Sequence, residues 1–404
     1  MKTWVKLALA GGAIVAALAA WKGDEAVRLY HVNSMFDEKR ITKNFSNMDD
    51  LMLTRSMDVG ELPTYPMRPS PLPETVMIAG EPRALDAFMR ETDTTSLLVL
   101  QDGEIVYEDY FQKTTPDDQR ISWSMAKSFL SALVGRAIES GDIPSVDVEV
   151  VDYVPELKGT AYEGATLRNV LNMASGVRFN EDYFDRDSDI NRMGRILAIG
   201  GSLDDFSETL VEREYAPGEA NQYVSIDTHV IGRVLRAATG RTVYELFEEA
   251  FAPVGLGPVN YITDSEGEAF VLGGLNMTTR GYATFGELFR RGGEWNGEQI
   301  IPADWVEKST RISAPPALGD ATAERTYGYQ WWSLPDQEAY GDYFANGIYG
   351  QTIYVNPLLG TVIVKTSSDH EFQDMQPSGL STTVETIHAM RGIAQHYAEL
   401  SDRI

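Results

Sequence analysis

Apolar positions recur along this chain at helical spacing in its middle and in β-rich runs towards its ends. Met125, Phe129, Leu130, Leu133, Val134, Ala137 and Ile138 predict a helix buried on a wide face and closed by Gly141. The stretches "TLRNVLNMASG", "IDTHVIGRVLRAATG", "TVYELFEEAFAPVG" and "GGLNMTTRGYATFGELFRRGGEW" each run to a glycine and predict more helices, one over 226–239 and one over 278–291. A last helix is expected over about 382–400. Strand patterns flank this region. "SLLVLQDGEIVYEDYF" (96–111) places two β-rich runs around Asp102-Gly103, a hairpin signal. "DYFANG", "QTIYVNP" and "GTVIVKTSS" (within 342–368) predict three antiparallel strands with a turn at Asn356-Pro357. "EPRALDAFMRETD" reads as a short helix with Pro82 in its first turn. "ELPTYPMRPSPLPET" (61–75), with five prolines, reads as an extended arm.

Strands at both ends with helices between imply an α/β chain of the α+β kind. One antiparallel sheet is built from the two termini and flanked by helices, and a helical lobe spans about 124–290. A site is expected in the cleft between them. The chain divides into a leader (1–21), an N-terminal extension with the proline arm (22–75) and one large domain (76–404).

Composition narrows the partners. Apolar residues make up 43% and charged residues 23% of 404, the balance of a globular chain. The net charge of −26 repels nucleic acid and anionic membranes. With no cysteine, a thiol nucleophile, a thiolate metal site and disulfides are excluded. Lys2 and Lys6 precede an apolar run from Leu7 to Trp21 that contains Ala17-Leu18-Ala19. This is the layout of a secretory signal peptide, short for a membrane span, so the protein is expected to be exported to the periplasm, cleaved or anchored there.

Candidate chemistry begins at Ser124-Met125-Ala126-Lys127. Three residues apart at a helix start, Ser124 and Lys127 share one face. Apolar neighbours and the helix dipole both favour a neutral Lys127 amine. Such an amine can take a proton from a serine hydroxyl, and the Ser124 backbone N–H at the same helix end can face an oxyanion. A helix start with only a structural role would more naturally carry Asp or Glu.

With this motif the chain resembles the serine hydrolases of the β-lactamase and penicillin-binding-protein fold, and most closely the class C-like esterases and 6-aminohexanoate-dimer hydrolases. The resemblance covers about 76–400. Ser124 to Lys127 matches the first motif, Tyr223-Val224-Ser225 the Tyr-x-Ser form of the second, and Ala345-Asn346-Gly347 the third. It implies that Tyr223 shuttles protons with Lys127, that the amides of Ser124 and Ile348 hold the oxyanion, and that Ser225, Asn346 and Gly347 border the substrate. Tyr183, in "NEDYFDRDSD", matches a tyrosine that closes over substrate in the nylon-oligomer branch. Trp331, Trp332, Tyr349 and Phe184 are candidates for an aromatic pocket wall. No cofactor or metal is implied, and the partner is a small ester or amide.

The departures matter. Ala345 stands where β-lactamases and D-Ala-D-Ala peptidases carry a cation, so a neutral substrate is expected. Leu272 stands where the nylon-oligomer branch has Asn. A penicillin-binding or β-lactamase-type peptidase, and a non-catalytic sensor of the same fold, are the alternatives. A Ser-His-Asp enzyme has no Gly-x-Ser-x-Gly elbow and no motif around the five histidines. Asp185-x-Asp187-x-Asp189 has Ile190 and Ile196 where a calcium loop needs Gly and Glu, and reads as a solvated acidic loop.

Overall fold

The computed structural model describes residues 23, 25–317, 324–372 and 374–401. The leader expected over 1–21 lies outside the described residues.

A seven-stranded sheet organises the molecule. Its strands are β1 (Thr94–Gln101), β2 (Glu104–Tyr110), β3 (Thr326–Tyr327), β4 (Trp332–Ser333), β5 (Tyr343–Gly347), β6 (Gln351–Asn356) and β7 (Thr361–Ser367), in the order β3-β4-β5-β6-β7-β1-β2 with every pair antiparallel. Strands from the two ends of the domain therefore meet at β7–β1. The β1–β2 turn is Asp102-Gly103, with φ of 52° and 81°, the left-handed pair that such a hairpin requires. Alternation along β1 sorts the core. Leu97 and Val99 pack with Ile387 and Ile393 of the C-terminal helix Thr382–Ser401, whereas Leu98 and Leu100 face the main core.

The main core also takes in helices α1 (Ala126–Glu139), α2 (Ser225–Thr239) and α3 (Thr279–Arg290). Alpha1 buries most of its length, more than a single amphipathic face, because it packs against α2 and other helices around it. Alpha3, expected in the helical lobe, instead lies on the sheet. Gly286 permits the approach: a Cβ there would lie 2.6 Å from Val362 Cγ1.

Two segments differ from expectation. Pro82 is not in a helix. Glu81–Ala84 pairs with Thr75–Ile78 around a turn at Ala79-Gly80, both at positive φ, and the helix begins only at Leu85. A two-stranded ribbon leaves alternate N–H groups unpaired, so it tolerates proline. A second sheet of four short strands was also unforeseen. It runs Thr54–Met57, Val259–Ile262, Leu275–Met277, Arg120–Ile121 and leads into residue 124. The proline arm lies along β2, where Ile105 N donates to Pro66 O and Arg68 N to Ile105 O, both at 2.9 Å. It covers a sheet edge without extending it.

Candidate active site

Strand Arg120–Ile121 delivers the chain to Trp123, which takes φ +44°, and Ser124 follows within a 3-10 turn (Trp123–Met125) that runs into α1. A non-glycine residue in that region costs roughly 1–3 kcal/mol and persists only where its surroundings impose it. The imposed turn leaves Ser124 half-buried at the head of α1, at the meeting of two cavities.

Lys127, one turn further, is 1% exposed. Its Nζ lies 2.8 Å from Leu272 O, 3.1 Å from Ser124 Oγ and 3.3 Å from Ser225 Oγ. Burial pulls its pKa down to about 7, against the pull of the Glu181 and Asp227 carboxyls. A neutral lysine offers two N–H bonds and one lone pair. Leu272 O can only accept. Ser225 Oγ gives its own proton to Glu181 Oε1, so towards Lys127 it accepts as well. The lone pair is then left facing the Ser124 hydroxyl.

Glu181 was missed in the sequence, where an acid in the polar "NEDY" run reads as solvated. It accepts three hydrogen bonds, from Ser225 N at 3.0 Å, from Ser225 Oγ, and from Tyr183 OH at 2.6 Å. Burial raises its pKa, against the pull of Lys127 and of these hydrogen bonds. Ser225 is the first residue of α2, and Val224 is the N-cap.

Tyr223 stacks on Trp332 (centroids 5.3 Å apart) and meets Tyr327 edge-on, with its ring centroid 5.4 Å from Lys127 Nζ. Burial first, and the Glu181 charge second, raise its pKa, while hydrogen bonding with Ser124 and Ser225 opposes the rise. The third motif ends β5. A Cβ on Gly347 would stand 2.3 Å from Ser122 O and 3.1 Å from Ser124 N, so only glycine lets β5 come this close to the Ser124 turn. Ile348, next in the chain, borders both cavities, and Asn346 borders the open one.

Two expectations need correction. Trp331 does not reach the site. It is 0% exposed and packs against Phe285, Phe289 and Tyr343, while its neighbour Trp332 turns to the cleft. Adjacent residues at a strand point to opposite faces, and the aromatic pair alone does not say which faces out. Nor is the cleft without a cation. Ala345 is buried in the core, but Arg325 lines the cleft with its guanidinium 4.6 Å from the Trp332 ring, alongside Glu324.

The cavities differ in character. One, of about 300 Å³, is largely apolar and includes Phe184 and Tyr349 in its wall; the other, of about 940 Å³, is an open cleft with mixed polar and apolar walls. Ser124, Tyr183 and Ile348 line both. Among the described residues no three His, Asp or Glu side chains gather to hold a metal ion, and no helix is long and apolar enough to cross a membrane.

A family model described as Beta-lactamase matches residues 83–378. A 6-aminohexanoate-dimer hydrolase of Paenarthrobacter ureafaciens is 31% identical over 297 residues, covering 70% of this chain and 75% of that protein. A Bacillus anthracis structure provisionally described as a 6-aminohexanoate-dimer hydrolase superposes with a TM-score of 0.77 at 22% identity, over 92% of this chain and 96% of that one. EstCE1, a hydrolase with promiscuous acyltransferase activity, gives a TM-score of 0.59 at 15% identity, over 77% and 98%. At these identities the two structures speak to the fold. The family match spans most of the chain, and by it and the 31% relative the chain belongs to the beta-lactamase family as one of its serine hydrolases.

Proposed function

We propose that the protein cleaves a small ester or amide through a Ser124 acyl-enzyme. The observation that carries this reading is the buried Lys127 amine, with its Nζ 3.1 Å from Ser124 Oγ. Lys127 takes the Ser124 proton as Oγ attacks the carbonyl carbon. The amides of Ser124 and Ile348 hold the oxyanion. Tyr223 gives its hydroxyl proton to the leaving alcohol or amine and regains one from Lys127. Water then repeats the sequence and releases the acid. The raised pKa of Tyr223 beside a Lys127 near 7 favours the amine over a tyrosinate as the resting base.

Steady-state hydrolysis of p-nitrophenyl butyrate tests this. Wild type is expected to turn over and Ser124→Ala to lose at least about 1000-fold. Equal rates in both would remove Ser124 as the nucleophile. A stable butyryl adduct on Ser124 without turnover, seen by mass spectrometry, would indicate a sensor. Arg325 in the cleft supports a second reading, a peptidase or β-lactamase whose substrate carries a carboxylate. Turnover of a chromogenic cephalosporin faster than of the butyrate ester would bring that reading forward.

A further inference from the structure

The smaller cavity beside Ser124 has a wall from outside the family core. Met35, Met48 and Met52 belong to the N-terminal extension, whereas the family match begins at residue 83. Met193, Phe270 and Leu272 line the same cavity from the family domain, and all six are buried. The extension is held firmly against the nucleophile turn: Ile121 N donates to Phe45 O at 3.0 Å, and Arg120 Nη1 donates to Thr42 O at 2.6 Å and to Ser46 Oγ at 2.9 Å.

Resting on the acyl-hydrolase reading above, we propose that this cavity is an acyl-chain pocket completed by residues 32–52, which selects medium-length acyl groups without a cationic end. Its size fits. At about 30 Å³ per methylene-sized group, about 300 Å³ holds of the order of ten heavy atoms. Its walls fit too. Four of the 14 methionines line it, and this unbranched, polarizable side chain adapts to flexible apolar chains. The charge pattern excludes one class. In a chain of net charge −26 no described Asp or Glu lines this cavity, and its charged lining residues are Arg186 and Arg195. An acyl group ending in an ammonium, such as 6-aminohexanoyl, therefore finds no counter-charge there.

The test is a series of p-nitrophenyl esters from acetate to dodecanoate, with 8-aminooctanoate beside octanoate. For wild type kcat/KM is expected to rise by about 3- to 4-fold per methylene up to roughly eight carbons, then fall. The 8-aminooctanoate ester is expected at least about tenfold below octanoate. Met52→Trp fills the pocket and should move the optimum to shorter chains, and Met48→Ala should move it to longer ones. Ratios within one preparation are independent of how much of a variant folds. A flat series, an optimum unmoved by both variants, or equal rates for octanoate and its amino derivative would overturn the pocket assignment. Provided that turnover still requires Ser124, any of these leaves the hydrolase reading standing. No Ser124-dependent turnover at any chain length overturns both.

Discussion

Lys127 carries opposing demands. It must be buried to lose its proton and must keep its donors satisfied while neutral. Burial sets its pKa near 7, and burial also pushes the Asp227 carboxyl up to about 8, while Glu181 is the larger of the two neighbouring charges that hold the lysine up. Below pH 7 the ammonium has no lone pair for Ser124. The kcat/KM for a neutral ester should therefore fall as pH drops through about 7 and level off above it. Stability follows the same sense. The folded pKa lies below the unfolded value of about 10.4, so the unfolded chain binds the extra proton between them, and this lysine's contribution to stability rises with pH across that window. Replacing Glu181 by Gln removes the charge that holds the Lys127 pKa up and lets an N–H compete for Ser225. The acidic limb is expected to move to lower pH, with kcat reduced by about 10- to 100-fold. A reduced kcat with an unmoved limb would show that Glu181 only holds the loop in place.

Beta5 sets how close the Ile348 amide, proposed above to hold the oxyanion, comes to the Ser124 turn, and Gly347 sets β5. In Gly347→Ala the new methyl would meet the backbone oxygen of Ser122 at 2.3 Å, a contact that no rotamer relieves. The strand end must withdraw and carry the Ile348 amide with it. A loss of at least about 100-fold in kcat/KM is expected with the melting temperature only modestly lowered, since β5 keeps its ladder with β6. Unaltered kcat/KM would mean that this amide is not used. The long elements here were legible in the sequence. Beta5, β6 and β7 are apolar, β-rich runs of five to seven residues, and α1, α2 and α3 repeat over three turns or more. The strands Thr54–Met57 and Arg120–Ile121 were not, because two to four residues establish no period. Side-chain direction at single positions was also beyond reach. Ser124 and Lys127 lie on one helix and constrain each other through its geometry. Glu181, Arg325 and the outward turn of Trp332 arrive from separate loops and strand ends, and only the assembled fold brings them to one cleft.

At the scale of the molecule, 60 acidic residues face 34 basic ones, so the surface repels itself even though many arginines are paired. Those pairs are of two kinds. Arg391 bridges Asp342 (2.6 Å) and Asp336 (2.8 Å) at a largely buried position, where added salt reaches poorly. Pairs such as Arg178–Glu212 and Lys308–Asp304 are exposed and contribute little. Salt therefore screens the excess repulsion more than it weakens useful attraction. Between about 10 mM and 0.5 M NaCl, where the Debye length falls from about 30 Å to a few ångströms, the melting temperature is expected to rise by several degrees. The proposed base, Lys127, is enclosed, so kcat/KM for an uncharged ester should stay within about twofold over the same range. An ester with a carboxylate on its leaving group must approach through the negative field of the whole chain, and its kcat/KM should rise with salt. Were that anionic ester instead slowed by salt, the local field of Arg325 would outweigh the global charge at the mouth of the cleft, and a carboxylate-bearing leaving group would become the favoured substrate.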